Sequence, residues 1–198
     1  PVEFLEPRDR HVRRPVPEPD ELGRAIAAIR GAQAPFIVAG GGVLYSGAED
    51  ALRRLVEQTG IPVGATQAGV GVLPWDHPQY LGGVGATGST AANRLAADAD
   101  LVIGVGTRYS DFTTASRSAF RRDGVRFVNI NVASFDAYKH GSRLPVVADA
   151  RRALDALVDG LEGTAVEASY AELIRVEKAE WEAVVDRALA PTGARLLG

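Results

Sequence analysis

The sequence predicts an α/β fold, a doubly wound parallel sheet of five to six strands with helices on both faces. Short apolar runs of the length of a buried strand alternate with longer amphipathic segments of helical periodicity. Several of these runs end at glycines, as strands do where the chain turns into a helix. Runs that are apolar throughout fit a parallel sheet that is buried on both faces.

Five apolar runs are predicted to be the strands. They span residues 36–39, 61–65, 101–105, 125–131 and 145–148. The first run meets three consecutive glycines at 40–42, which suits a tight turn out of a buried strand. The segment 77–81 is a poor strand candidate, because it begins with a histidine and a proline.

Amphipathic segments between the runs are predicted to be helices. They span residues 20–31, 46–60 and 88–97, and another helix follows Asp149. Ser46 and Glu49 have the spacing of a capping box, which would start the second of these helices. Asp149 is placed to accept the first N–H groups of the last one.

The 198 residues are predicted to divide into three stretches. Residues 1–19 form a linker from a missing amino-terminal domain, and 20–162 form the central α/β domain. Residues 163–198 form a helix and a linker towards a missing carboxyl-terminal domain. The first stretch holds five prolines and four arginines, and a linker that is solvated or contacts a domain is favoured there over an anion site.

Composition excludes several classes of function. The net charge of -3 gives no electrostatic reason to expect nucleic acid as a partner, and no apolar run is long enough to cross a membrane. Cysteine is absent, which excludes disulfides, thiolate catalysis and cysteine metal sites. The three histidines show no ligand spacing, so no metal site is predicted. A cytoplasmic location fits these observations.

Glycines supply the first candidate ligand contacts. In a sheet of this kind ligands bind beyond the carboxyl ends of the strands, near the point where the strand order reverses. Gly41 and Gly42 can let backbone N–H groups approach a phosphate, or can simply form a tight turn. Gly83 and Gly85 open a G-x-G-x-x-G pattern before a helix, but the pattern is weak without a good preceding strand.

Polar side chains after two other strands are further candidates. Thr66 and Gln67 follow the second predicted strand, where an NAD site needs an acidic residue, so ordinary NAD binding is not expected. Arg108 follows the 101–105 strand and can clamp a phosphate or carboxylate through its planar guanidinium. It can equally pair with Asp111 and order the loop.

Asn129 and Asn131 end the 125–131 strand and can bind a ribose or adenine, or can satisfy local backbone groups. Other catalytic motifs are absent: the sequence has no Walker lysine, no G-x-S-x-G and no H-E-x-x-H. The sequence therefore predicts scaffolding and ligand contacts and no catalytic residue.

Several motifs occur in a characteristic order, at 40–42, 83–86, 91–93, 99–108, 128–131 and 147–149. This order resembles the central, Rossmann-like domain of thiamine-diphosphate enzymes of the acetolactate synthase and decarboxylase superfamily. Within it, the chain is most similar to the trihydroxycyclohexanedione hydrolases of myo-inositol breakdown, over 39–46, 66–69, 81–88, 103–114 and 127–132. The resemblance covers essentially the whole chain.

The chain departs from these relatives at four positions. Ala65 and Val70 stand where the hydrolases have a glutamate and a lysine, which bears on substrate and activity. Asn129 and Asn131 stand where flavin-binding relatives have acidic residues, which lowers the expectation of bound FAD.

The resemblance implies thiamine diphosphate and Mg²⁺ as cofactors of the full-length enzyme, bound by the missing domains. The enzyme would break a C–C bond of a small-molecule ring and would be a homo-oligomer, a dimer or a tetramer. FAD or ADP in this domain is open, with Gly41, Gly42, Thr66, Gln67, Gly83, Gly85, Arg108 and Asn131 as its candidate contacts.

Three hypotheses follow from the sequence. The first is a central domain that the enzyme requires but that is catalytically incomplete. The second is a module that binds FAD or ADP in an acetolactate-synthase-like enzyme. The third is a separate α/β protein of a deacetylase or electron-transfer-flavoprotein type. The lack of cysteine for a zinc module opposes the deacetylase type.

Overall fold

One sheet of six parallel strands forms the centre of the chain. The structure is a computed structural model that describes residues 13–190. Its strands are β1 (Pro35–Ala39), β2 (Val63–Ala65), β3 (Tyr80–Gly83), β4 (Leu101–Val105), β5 (Arg126–Asn131) and β6 (Leu144–Val147). Their order in the sheet is β3-β2-β1-β4-β5-β6, and every pair of neighbours is parallel. The predicted doubly wound sheet is confirmed.

Helices cover both faces of the sheet. They are α1 (Pro19–Arg30), α2 (Gly41–Ser46), α3 (Glu49–Thr59), α4 (Thr90–Asp98), α5 (Asp111–Thr114), α6 (Ser134–Ala137), α7 (Ala150–Gly160) and α8 (Ala168–Leu189). One core lies between the sheet and α1, α3 and α7, and a second lies between the sheet and α4 and α8. Burial in these two cores explains why the short strand segments of the sequence are apolar throughout.

Strand β1 shows how the two cores share one sheet. Ile37 and Ala39 belong to the first core, whereas Phe36 and Val38 belong to the second, and all four side chains are fully buried. Successive side chains of a strand point to opposite faces, so a strand that is covered on both faces needs apolar residues at every position.

The predicted capping box at Ser46 is wrong. The segment forms two helices, because Gly47 adopts a left-handed conformation (φ 59°) that ends α2. Helix α3 begins at Glu49 without a side-chain cap. The hydroxyl of Ser46 instead donates a hydrogen bond to Asp149 at 3.0 Å.

The segment that begins with His77 and Pro78, a poor strand candidate by sequence, leads into strand β3. Tyr80 pairs with Val63, and Gly83 pairs with Ala65. Both glycines of β3 are poor strand residues, and the strand exists because β2 offers it an open edge.

Helix α8 is fixed to the second core by polar contacts as well as packing. Arg94 of α4 contacts Glu177 (3.0 Å) and Glu180 (2.9 Å), and the ammonium of Lys178 donates to the carbonyl of Tyr80 at 3.0 Å. No helix within residues 13–190 is long and apolar enough to cross a membrane. The three predicted stretches of the chain stay a prediction, and residues 1–12 and 191–198 lie outside the described residues.

Candidate functional site

A cleft of about 580 Å³ opens beyond the carboxyl ends of the strands. It lies where β1 and β4 are neighbours and the strand order reverses, which is the usual ligand position in such sheets. Six of the eight predicted site residues line it: Gly41, Gly42, Thr66, Gln67, Arg108 and Asn131. Gly83 and Gly85 do not line it, although Val84 and Thr87 beside them do.

The glycines after β1 bring two loops into contact. A Cβ on Gly40 would meet the carbonyl oxygen of Gly106 and would lie 2.7 Å from the Cα of Thr107. The N–H group of Gly42 donates to the carbonyl of Gly106 at 3.0 Å. The glycines therefore allow close approach of the β1 and β4 loops, as expected for the tight-turn alternative.

Backbone N–H groups of the G-x-G-x-x-G segment donate hydrogen bonds to other groups of the protein. Gly85 donates to the side chain of Asn93 at 2.8 Å, and Ala86 donates to the carbonyl of Phe112 at 2.7 Å. Gly88 donates to the carbonyl of Gly85 at 3.0 Å. These groups have protein partners, so the segment does not form a phosphate cradle with them.

The two asparagines of β5 also bond within the protein. Asn131 donates to the carbonyl of Thr107 and accepts from the N–H of Ala133, both at 3.0 Å. Asn129 donates to the carbonyl of Lys139 at 3.0 Å and accepts from the hydroxyl of Tyr109 at 2.9 Å. Of the two alternatives for these residues, the structure favours the one in which they satisfy local groups.

Arg108 is exposed and lines the cleft. No ion pair joins it to Asp111, so the alternative in which that pair orders the loop is wrong; within residues 13–190 its guanidinium has no hydrogen bond. The loop is held instead through its backbone, because Lys139 donates to the carbonyl of Arg108 at 2.8 Å. Lys139 also contacts Asp136 at 2.7 Å.

Asp149 links three elements at one end of the cleft. Its carboxylate accepts from Arg14 and from the hydroxyl of Ser46, each at 3.0 Å. It also accepts two backbone N–H groups of the first turn of α7, at 3.1 and 3.3 Å, which confirms the predicted cap. The only signal in the sequence for the partner Arg14 is the basic character of the first stretch, and for Ser46 as a partner of Asp149 there is none.

The resemblance assigns thiamine diphosphate and Mg²⁺ to other domains and leaves only FAD or ADP open for this one. Within residues 13–190 no group of three or more histidine or acidic side chains is placed to hold a metal ion. Three of the predicted contacts of FAD or ADP, the N–H groups of Gly42 and Gly85 and the side-chain amide of Asn131, have protein partners.

Comparison with known proteins identifies the family. The sequence profile of the family described as "Thiamine pyrophosphate enzyme, central domain" matches residues 22–157. The chain belongs to this family. A thiamine pyrophosphate enzyme central domain accounts for the sheet, for the two cores and for the cleft at the strand reversal.

Among curated proteins, this central domain is similar to enzymes named 3D-(3,5/4)-trihydroxycyclohexane-1,2-dione hydrolase. The one from Clostridium tetani (strain Massachusetts / E88) is 41% identical over 187 residues, which are 94% of this chain and 29% of that protein. The one from Bacillus cereus (strain AH820) is 42% identical over the same shares. The chain thus spans less than a third of the length of these relatives.

A solved structure supports the fold. An X-ray structure described as that of a thiamin diphosphate-dependent enzyme from Mycobacterium smegmatis superposes with a TM-score of 0.63. The alignment covers 79% of this chain and 30% of that one, at 24% sequence identity.

Tyr109 gives the central domain an expected dependence of stability on pH. Burial raises the pKa of its hydroxyl far above the ordinary value of 10. The folded state therefore keeps a proton that the unfolded chain loses, and the stability present below pH 10 is lost as pH rises further. The free energy of unfolding should fall by up to about 1.4 kcal/mol per pH unit for this tyrosine.

Tyr109→Phe tests this expectation through denaturant unfolding between pH 9 and about 11. The variant should show a shallower fall of stability with pH than the original chain. Tyr45→Phe is the control, because Tyr45 is 88% exposed and its removal should leave the slope unchanged. An unchanged slope in Tyr109→Phe would show that the hydroxyl of Tyr109 ionises freely.

Proposed function

We propose that this chain is the central domain of a thiamine-diphosphate- and Mg²⁺-dependent hydrolase that opens the ring of trihydroxycyclohexane-1,2-dione in myo-inositol catabolism. One observation carries the proposal: identity of 41% over 94% of the chain with proteins named for that activity. In the proposal the whole enzyme is a cytoplasmic homo-oligomer, and the departures at Ala65 and Val70 are compatible with the same substrate.

The proposal assigns the chemistry to the remaining part of the protein. Thiamine diphosphate supplies an electron sink for breaking a C–C bond when it is bound. The sequence has no Gly-Asp-Gly tripeptide of the kind that holds the diphosphate and Mg²⁺ in such enzymes. This domain would contribute a rigid support and the cleft, with Gly41, Gly42, Thr66, Gln67, Arg108 and Asn131 on the side that faces the other domains.

The test is turnover of trihydroxycyclohexane-1,2-dione by the intact protein that contains this chain, with thiamine diphosphate and Mg²⁺ present. The intact protein should open the ring, whereas the 198-residue chain alone should not. Ring opening by the chain alone would overturn the assignment of the chemistry to other domains. Absence of turnover by the intact, cofactor-loaded protein would overturn the proposed substrate.

Thermal unfolding of the chain with FAD or ADP should show no increase in stability. A ligand at a hundred times its dissociation constant would add about 2.7 kcal/mol, which is easily detected. We expect no such increase because the amides of Asn131 and Gly85 already have protein partners. An increase with ADP or FAD would favour the second hypothesis, a nucleotide-binding module, and Arg108→Ala should then abolish it.

A further inference from the structure

Two aspartate–glycine pairs occur in the sequence, Asp123-Gly124 and Asp159-Gly160. Glycine has no side chain to shield its backbone nitrogen, so this nitrogen can reach the carboxyl carbon of the preceding aspartate where the backbone is free to turn. Both aspartates are exposed to solvent. The backbone around each pair therefore decides whether the two groups can meet.

Asp123-Gly124 occupies an exposed turn before β5. The N–H group of Val125 donates to the carbonyl of Arg122 at 3.2 Å, and Gly124 has the positive φ (74°) that the third residue of a type II turn requires. Within residues 13–190 the N–H group of Gly124 has no hydrogen bond, and the carboxylate of Asp123 has no ion pair. A Cβ built on Gly124 would have nothing within 4 Å. The peptide group between the two residues can therefore turn without displacing other parts of the chain.

The chain on either side of this turn is fixed. The guanidinium of Arg122 donates to the carbonyl of Asp98 at 3.0 Å. The N–H group of Arg126, the first residue of β5, donates to the carbonyl of Asp100 at 3.1 Å. The freedom of the backbone is thus confined to the turn itself, and the turn can open without unfolding of the sheet.

Asp159-Gly160 has the opposite environment. Both residues lie in α7, where each N–H group donates to a carbonyl one turn earlier. The carbonyl of Gly160 accepts from Arg30 at 2.8 Å, and a Cβ on Gly160 would meet the side chain of Ile26. The nitrogen of Gly160 can attack its neighbour only after this part of the helix opens.

We propose that Asp123 is a site of spontaneous isomerisation to isoaspartate, whereas the fold protects Asp159. The backbone nitrogen of Gly124 attacks Cγ of Asp123, the N–Cγ bond replaces the N–H bond, and the carboxyl hydroxyl leaves with a proton as water. Water then adds to the main-chain carbonyl carbon of the resulting succinimide, and the bond from that carbon to the nitrogen breaks. The main chain now runs through the side-chain carbons of residue 123, with no net gain or loss of atoms.

The modification would act at the start of β5. It adds one carbon atom to the main chain within the turn, so the hydrogen bond from Val125 to Arg122 could not keep its geometry. The inference does not depend on the proposed function, because it concerns only the backbone of this chain.

Prolonged incubation of the intact protein at neutral pH tests the site. Peptide mass spectrometry after digestion with a protease that cleaves before aspartate but not before isoaspartate measures the modified fraction at each pair. Isoaspartate should accumulate at residue 123 at least about tenfold faster than at residue 159, where the helix must open first. In concentrated urea both backbones are free, and the two sites should react at similar rates.

Asp123→Glu is the matched variant. It keeps the carboxylate but would have to close a larger ring, so isomerisation at residue 123 should stop while the slow reaction at Asp159 is unchanged. Asp123→Asn should react faster, because its side-chain amide leaves as ammonia, and the resulting change in mass reports each event. Equal rates at the two pairs in the folded protein would overturn the proposal. So would a folded protein that forms no isoaspartate at residue 123 while the protein in urea forms it there.

Discussion

Replacing Gly40 by alanine is expected to destabilise the chain by about 4 kcal/mol, a large fraction of the 5–15 kcal/mol that holds a typical domain together. The added Cβ would meet the carbonyl oxygen of Gly106 and the Cα of Thr107. Both are backbone atoms of the loop that follows β4, so no side-chain rotation relieves the contact. The two central strands would have to separate, which costs more than ordinary overpacking of a core. Denaturant unfolding of purified Gly40→Ala measures the loss, and failure to express soluble protein is its extreme form.

Gly23→Ala is the matched control for this substitution. Gly23 lies within α1, and a Cβ there has nothing within 4 Å. Alanine in an open helical position should stabilise the chain by about 0.5–1 kcal/mol. If the free energy of unfolding of Gly40→Ala lay within about 1 kcal/mol of that of the original chain, the close approach of the β1 and β4 loops would not be a constraint on the fold.

The central strands could be predicted because burial on both faces leaves a direct trace in the sequence. Strand β4 was predicted residue for residue as 101–105, since four apolar residues and Gly104 stand between Asp100 and Gly106. The predicted 61–65 strand is shorter in the structure, where β2 covers only Val63–Ala65. Pro62 lacks an N–H group and so cannot donate to a neighbouring strand.

Strand β3 could not be predicted, because its sequence gives no local preference for a strand. Two of its four residues are Gly82 and Gly83. What holds it is the neighbouring strand and the second core, where Leu81 is almost completely buried. Both are consequences of the folded chain, and local propensity is weaker than such tertiary packing.

The position of the site followed from the fold, but its chemistry did not follow from the motifs. The carboxyl edge and the position of Arg108 in the cleft could be predicted from strand order and residue type. The role of Gly85 could not be predicted, because its N–H group donates to the side chain of Asn93, which is eight residues away on α4. A glycine motif shows that a backbone can approach closely, and it does not show what approaches it.

Replacing Asp149 by alanine is expected to lower the free energy of unfolding by about 3 kcal/mol. Loss of the α7 cap accounts for about 1 kcal/mol. The rest comes from Ser46, whose buried hydroxyl would lose its acceptor, and from Arg14, whose guanidinium would lose its carboxylate. Asp149 is 6% exposed, so water would not easily replace it. Denaturant unfolding at neutral pH measures the change.

Asp155→Ala is the control, because it measures how much an ordinary exposed ion pair contributes to the free energy of unfolding. Asp155 also lies on α7 and pairs with an arginine, Arg54, but the two side chains are 37% and 57% exposed. An exposed pair contributes at most about 1 kcal/mol, so the free energy of unfolding of this variant should lie close to that of the original chain. Similar losses in the two variants would mean that the contacts of Asp149 with Ser46 and the first turn of α7 add nothing beyond charge pairing. A larger loss in Asp149→Ala would instead show that the buried contacts of this carboxylate with Arg14, Ser46 and the first turn of α7 stabilise the chain more than an exposed ion pair does.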